Sequence, residues 1–333
     1  MSASLDVLGI GNAIVDTISR AEDNDLVAAG LHKGGMALID EARAAVLYEK
    51  MGPTTVISGG SAANTMAGLA GLGRRAGFVG KVKNDEAGRE FTHDIRKAGV
   101  AFDTPAAADG AATARCLIFV TPDGQRTMNT FLGACQALAP QDIDEASVAA
   151  AKVLYMEGYL WDPPGAKEAF LKAAKVSRAN GRKVALSLSD SFCVDRYRAE
   201  FLSLIRERVV DIVFANESEL HALYETADFD TAIAALRAEK DLLGVVTRGE
   251  NGCVVATGAS LVSAPAFPVT EVVDTTGAGD LFAAGFLAGY TQDLPHERSA
   301  SLGALAAAEI ISHVGARPQK DLLQLARDNG ILA

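Results

Sequence analysis

The sequence predicts an α/β fold: a central, mostly parallel sheet covered by helices on both faces, with a small β lid. Three observations lead there. Apolar, β-branched runs at 152–157, 184–189, 211–215 and 243–247 alternate with helical stretches around 165–179, 196–208 and 228–240. Alternation of this kind buries parallel strands between two layers of helices. Between 100 and about 130 it stops, and 114–121 and 125–131 flank Pro122-Asp123-Gly124, a hairpin around a Pro-Asp-Gly turn. Glycine-rich or polar turns also recur where strands end, at 11–16, 58–64, 216–219, 247–252 and 274–280. That is the edge at which open α/β sheets bind ligands.

The chain has 333 residues, 49% hydrophobic and 22% charged, enough for one large core in one domain with a small β subdomain. A net charge of -11 argues against nucleic acid or an anionic membrane as main partner. A polyphosphate can still bind where amides, arginines, lysines or a metal ion supply local positive potential. Four scattered cysteines without a Cys-x-x-Cys pair read as reduced thiols of a cytoplasmic enzyme. The first residues carry no basic segment followed by an apolar one, so no secretory signal is expected. The apolar runs 281–290 and 302–311 fall short of the roughly 20 residues a membrane span needs and read as buried helices. Five histidines show no metal-ligand spacing.

In chain order, 5–11 reads as a buried strand. Its Gly9-x-Gly11 lacks the third glycine of a dinucleotide fingerprint, because Ile14 stands there. Asn12 and Asp16 follow as ligand groups or as turn residues, and spacing alone leaves both roles open. Gly59-Gly60 frees the backbone ahead of a small-residue helix at 65–73, where Ser61 and Asn64 can bond hydroxyls or simply cap. A strand at 76–82 and an amphipathic helix ending at Gly99 come next. Asn216-x-x-Glu219 has the form of a capping box. The loop 247–252 is a hairpin turn or the lining of a nucleotide site.

The most informative stretch is 271–290. A β-branched run ends in Asp274-Thr275-Thr276, then Gly277-Ala278-Gly279, then Asp280 and a long apolar segment, read as strand, tight turn and buried helix. Amides at a helix start lack intrahelical partners and carry partial positive charge, so they suit a phosphate. A carboxylate beside that anion hole, with no Gly-x-x-x-x-Gly-Lys-Ser/Thr loop and no metal cluster, fits phosphoryl transfer to a hydroxyl.

With those residues in view, Asp274-Thr-Thr-Gly-Ala-Gly-Asp280 and Gly59-Gly60-Ser-Ala-Ala-Asn64 resemble the two signatures of the ribokinase-type (PfkB) sugar and nucleoside kinase family, over essentially the whole chain. Gly11-Asn12-x-x-Val-Asp16, Asn216-x-x-Glu219 and Thr247-Arg-Gly249 resemble further motifs of that family. The segments 126–134 and 188–192 resemble its adenosine-kinase branch. The resemblance implies a three-layer α/β/α ribokinase-like fold spanning 1–333, with a discontinuous lid from about 17–40 and 100–131. It implies ATP with Mg²⁺ as donor, Asp280 as base on the acceptor hydroxyl, and Gly277, Ala278 and Gly279 as the anion hole. Asp16 and Asn64 would hold ribose hydroxyls beside Gly60 and Ser61, Asn12 would contact the acceptor, and Leu132 and Phe192 would flank its base. Asn216 and Glu219 would organise Mg²⁺ and phosphate through water, and Thr247, Gly249 and Gly252 would line the ATP site. The expected reaction is adenosine to AMP. The alternatives are a sugar kinase acting on ribose, fructose or ketodeoxygluconate, and a catalytically silent nucleoside- or sugar-binding protein. K⁺ dependence, and monomer against homodimer, are left open.

Overall fold

The computed structural model describes residues 4–332. The first apolar run forms β1 (Leu5–Ile10), buried beyond its first residue at the heart of a nine-stranded sheet. On one side lie β5 (Ala76–Val79) and β6 (Ala101–Phe102); on the other come β9 (Ala151–Glu157), β10 (Lys183–Ser187), β11 (Ile212–Asn216) and β12 (Leu243–Thr247). All of these pair in parallel, and β13 (Cys253–Ala256) and β14 (Leu261–Ala264) close that edge antiparallel. Because the chain builds outward from β1 in both directions, the strand order reverses there, and a crevice opens at the carboxyl ends of β1 and β9.

Side chains alternate between the two faces, as the strand period demands. Val153, Tyr155, Phe214 and Val245 belong to one core, with the helices Ser61–Gly71, Ala278–Tyr290 and His296–Ile310. Leu154, Met156, Val213 and Val246 belong to the other, with the helices Pro164–Ala179, Ser191–Arg206, Glu217–Tyr224 and Phe229–Ala238. The expected three layers are present. Helix Ala278–Tyr290 is apolar all round because it is sandwiched, with Leu281 through Gly289 buried. Its glycines set the approach: a Cβ on Gly285 would lie 2.4 Å from the Leu302 carbonyl oxygen.

A second sheet of five strands stands apart, in the order β3 (Met36–Leu38), β8 (Arg126–Phe131), β7 (Ala114–Val120), β2 (Ile14–Arg20) and β4 (Thr54–Gly59). The expected hairpin is β7–β8, with Gly124 at φ +80° and its N–H on the Thr121 carbonyl. The sheet draws on 14–20 and 54–59 as well as on the segments 17–40 and 100–131.

Two local expectations are corrected. Asp16 is not in a turn after β1 but inside β2, paired with β4 and β7. The run 271–273 is not a strand: Val272 is 54% and Val273 40% exposed, and the Val273 N–H goes to the carbonyl of Ile311, a helix end. β-branched residues make a strand only where a ladder partner exists.

Candidate active site

Two helices begin side by side at the crevice. Helix Ser61–Gly71 follows Gly60 and helix Ala278–Tyr290 follows Gly277, and neither has a side-chain cap. Both glycines have positive φ, +98° and +80°. A Cβ on Gly60 would sit 2.1 Å from the Asn12 carbonyl oxygen, so only glycine fits.

The first helix start is answered from inside the protein. Glu157, at the end of β9 and 1% exposed, accepts from the Ala62 N–H at 2.8 Å and from Asn12 Nδ2 at 2.6 Å. Gly11 makes room for it, since a Cβ there would lie 2.3 Å from Glu157 Oε2. Burial pushes this carboxyl up to about 7, with the amide bonds pulling the other way.

The second helix start stays open. The Ala278 N–H points back to the Thr275 carbonyl at 3.2 Å. No hydrogen bond among the described residues takes the amides of Gly277, Gly279 and Asp280, the orphan donors of a helix N-terminus. The amides left open are therefore those of Gly277, Gly279 and Asp280, with the Ala278 amide turned aside. Around Gly279 nothing stands within 4 Å of where a Cβ would be.

Asp280 closes the gap between the helices, accepting from Ser61 Oγ at 2.6 Å and Asn64 Nδ2 at 3.0 Å. Burial holds its pKa above the usual carboxylate value, against those two bonds and the nearby Arg317. Arg317 donates to the Ser58 carbonyl at 2.6 Å and to the Ala63 carbonyl at 3.1 Å. The Asp16 carboxyl has no hydrogen bond among the described residues, and it rises to about 6 through burial, opposed by Arg126 and Arg317. It packs on Gly59, where a Cβ would fall 2.3 Å from Asp16 Oδ2. Arg126 of β8 makes a buried ion pair with Asp274. Asp274 also accepts from the N–H groups of Thr276 at 2.9 Å and Gly315 at 3.0 Å.

Glu157, Ser61, Asn64 and Asp280 open onto one cavity of about 880 Å³. Of the residues singled out in the sequence, Asn12, Ser61, Asn64, Leu132, Phe192, Asn216, Glu219, Thr247, Gly277, Ala278, Gly279 and Asp280 line it. Asp16 and Gly60 stand behind that lining. Gly249 and Gly252 do not reach it: they shape the β12–β13 turn, and a Cβ on Gly252 would meet the Ala264 carbonyl oxygen at 2.2 Å. The small sheet supplies Ile14, Met36, Leu38 and Met128, an apolar wall that Leu132 and the 79%-exposed Phe192 extend.

At the other strand ends, Asn216 and Glu219 form the predicted capping box. Glu219 accepts from Asn216 N at 3.0 Å and Nδ2 at 2.6 Å, and burial raises its carboxyl to about 7. Among the described residues no three His, Cys, Asp or Glu side chains group as a metal site. Each Glu219 oxygen already accepts a hydrogen bond, and Asp190, which lines the same cavity, accepts from the Cys193 N–H. That fits a Mg²⁺ carried mainly on phosphates.

Sequence reasoning missed Glu157, Arg126 and Arg317. Glu157 left one usable signal, a lone carboxylate ending a strand buried on both faces. The two arginines left none, because their partners are 148 and 254 or more residues away.

Known structures share this architecture. An adenosine kinase from Sinorhizobium meliloti superposes with a TM-score of 0.91 at 53% identity, covering 98% of this chain and 100% of that one. A probable sugar kinase from Rhizobium etli gives 0.92 at 50% identity, covering 99% and 100%. An ATP-dependent ribose-1-phosphate kinase from Halopiger xanaduensis is 32% identical over 267 residues, 78% of this chain and 82% of that protein. Fold and site thus define an ATP-dependent kinase of ribokinase-like architecture. Residues 36–322 match the pfkB family carbohydrate kinase model, and the chain belongs to that family.

Proposed function

We propose that this kinase phosphorylates the hydroxymethyl group of adenosine, giving AMP and ADP. The observation that carries the reading is one cavity lined both by the apolar Ile14, Met36, Leu38, Met128, Leu132 and Phe192 and by the polar Asn12, Ser61, Asn64 and Asp280. A purine gains from apolar, aromatic flanks, whereas a free sugar would set hydroxyls against them.

In this reading Asp16 and Asn64 hold the ribose hydroxyls, Asn12 contacts the acceptor, and the acceptor hydroxyl meets Asp280. The hydroxyl oxygen forms the new bond to the γ-phosphorus, its proton passes to Asp280, and the bond to the bridging oxygen breaks to release ADP. A raised pKa makes Asp280 a stronger base, while Ser61 and Asn64 hold its oxygens in place. The Gly277, Gly279 and Asp280 amides meet the charge on the transferring group. Mg²⁺ on the ATP phosphates would neutralise further charge, its waters meeting Glu219 and Asp190. The five-stranded sheet acts as a lid that excludes water and so limits ATP hydrolysis. Four buried, unpaired cysteines suit a reducing, cytoplasmic setting.

A sugar kinase is the second reading, favoured by Asp162, Arg196 and Ser189 in the lining of the same cavity. ADP release with adenosine, inosine, ribose, fructose and ketodeoxygluconate separates the two. Adenosine is expected to turn over fastest; rapid turnover of a free sugar with adenosine inert rejects the proposal.

A further inference from the structure

A second concave site lies on the helix Glu86–Lys97, remote in composition from the first. Its cleft of about 540 Å³ is lined by Lys83, Arg89, His93, Arg96 and Lys97, with Asn84 and Thr92 among the neutral groups. Arg89, His93, Arg96 and Lys97 stand at helical spacing along one face. Glu86 and Glu90 of the same helix stay out of the lining.

Two of the cations are fixed from behind. Lys83 Nζ donates to the Gly110 carbonyl at 2.6 Å, and Arg96 Nη2 donates to the Phe102 carbonyl at 2.6 Å and pairs with Asp103 at 3.1 Å. The side chains of Arg89, His93 and Lys97 have no hydrogen-bond or ion-pair partner among the described residues. In a chain of net charge -11, a cleft lined by four Lys/Arg side chains and a histidine, and by no acid, is not background. Like charges gathered this way repel unless an anion offsets them.

We propose that this cleft is a second anion site, which takes a small phosphorylated molecule carrying two or more negative charges. Its volume suits a ligand of that size. Its occupancy reaches the first site through one side chain. Asp94, on the same helix, accepts from Ser58 N at 2.8 Å and Ser58 Oγ at 2.6 Å. Ser58 adjoins the Gly59–Gly60 bend and receives Arg317. An anion that fixes the helix therefore steadies the start of helix Ser61–Gly71.

The test is calorimetric titration of pyrophosphate, in magnesium-free buffer at low salt, into wild type and Arg89→Glu/Lys97→Glu. Wild type is expected to bind one equivalent more than the variant, or to bind that equivalent at least about tenfold tighter. Equal stoichiometry and affinity overturn the site. If the charge reversal disturbs folding, Arg89→Gln/Lys97→Gln gives the same reading. Hydrogen exchange reads the coupling, because binding at the Gly277–Gly279 cradle is common to both proteins. Pyrophosphate is expected to slow the amides of 58–61 more in wild type than in the variant, and equal slowing overturns it.

Discussion

The starts of helices Ser61–Gly71 and Ala278–Tyr290 are built alike and finished differently. Each follows a glycine at positive φ with no side-chain cap, and the two are bridged by Asp280 bonding Ser61 and Asn64. At the first, a buried carboxylate of the chain itself, Glu157, occupies the place an anion would take. At the second, three amides are left without a partner. The difference teaches where negative charge is still missing: the protein answers one helix start from within and leaves the amides of the other open.

The sharpest break in that comparison is Asp280→Asn at the open start. It is expected to keep the fold and acceptor binding and to lose turnover by about 10²–10⁴-fold or more, read from steady-state ADP release. An unchanged rate removes Asp280 from its role. At the closed start, Glu157→Gln places an NH₂ group among donors from Ala62 and Asn12 and should cost about 1–3 kcal/mol in urea unfolding. A silent substitution there would mean that the internal carboxylate does not hold this helix start.

The glycines sharpen the contrast next. Gly279→Ala should leave thermal stability near wild type, because its Cβ enters open space, yet raise the KM for ATP roughly tenfold by narrowing the approach to the amides. Gly277→Ala, at φ +80°, should instead lose about 1–3 kcal/mol of stability. The reverse ranking would place the ligand elsewhere.

The smallest effect is on pH. Folded Glu157 titrates at about 7 against an ordinary 4.5. Between those values the folded state binds more protons than the unfolded one, so this residue's contribution to stability falls as pH rises from 4.5 to about 7. Comparing urea midpoints across that range, Glu157→Gln should show a flatter profile.

Much of the frame was legible because the physics was local. β9 through β12 are buried on both faces, so they read as apolar runs, and the helices between them carry their own period. β2 was not legible: the side chains it turns inward include Thr17 and Ser19, at 0% and 2% exposure, which inverts the expected pattern. The false strand at 271–273 failed for the opposite reason, a β-prone run with no neighbour to pair. In the site, Asp280 and its glycines announce themselves within ten residues. Glu157, Arg126 and Arg317 act across the chain, and no local pattern encodes a contact between distant segments.

The buried pair of Arg126 and Asp274 ties the two halves of the machine together. Arg126 lies on the small sheet, and Asp274 accepts from the Thr276 N–H just ahead of the open helix start at Gly277. One strut thus joins the two regions that the proposed reaction assigns to acceptor and phosphate. Whatever bias one substrate places on that strut, the other must feel as an equal and reciprocal change in its own affinity.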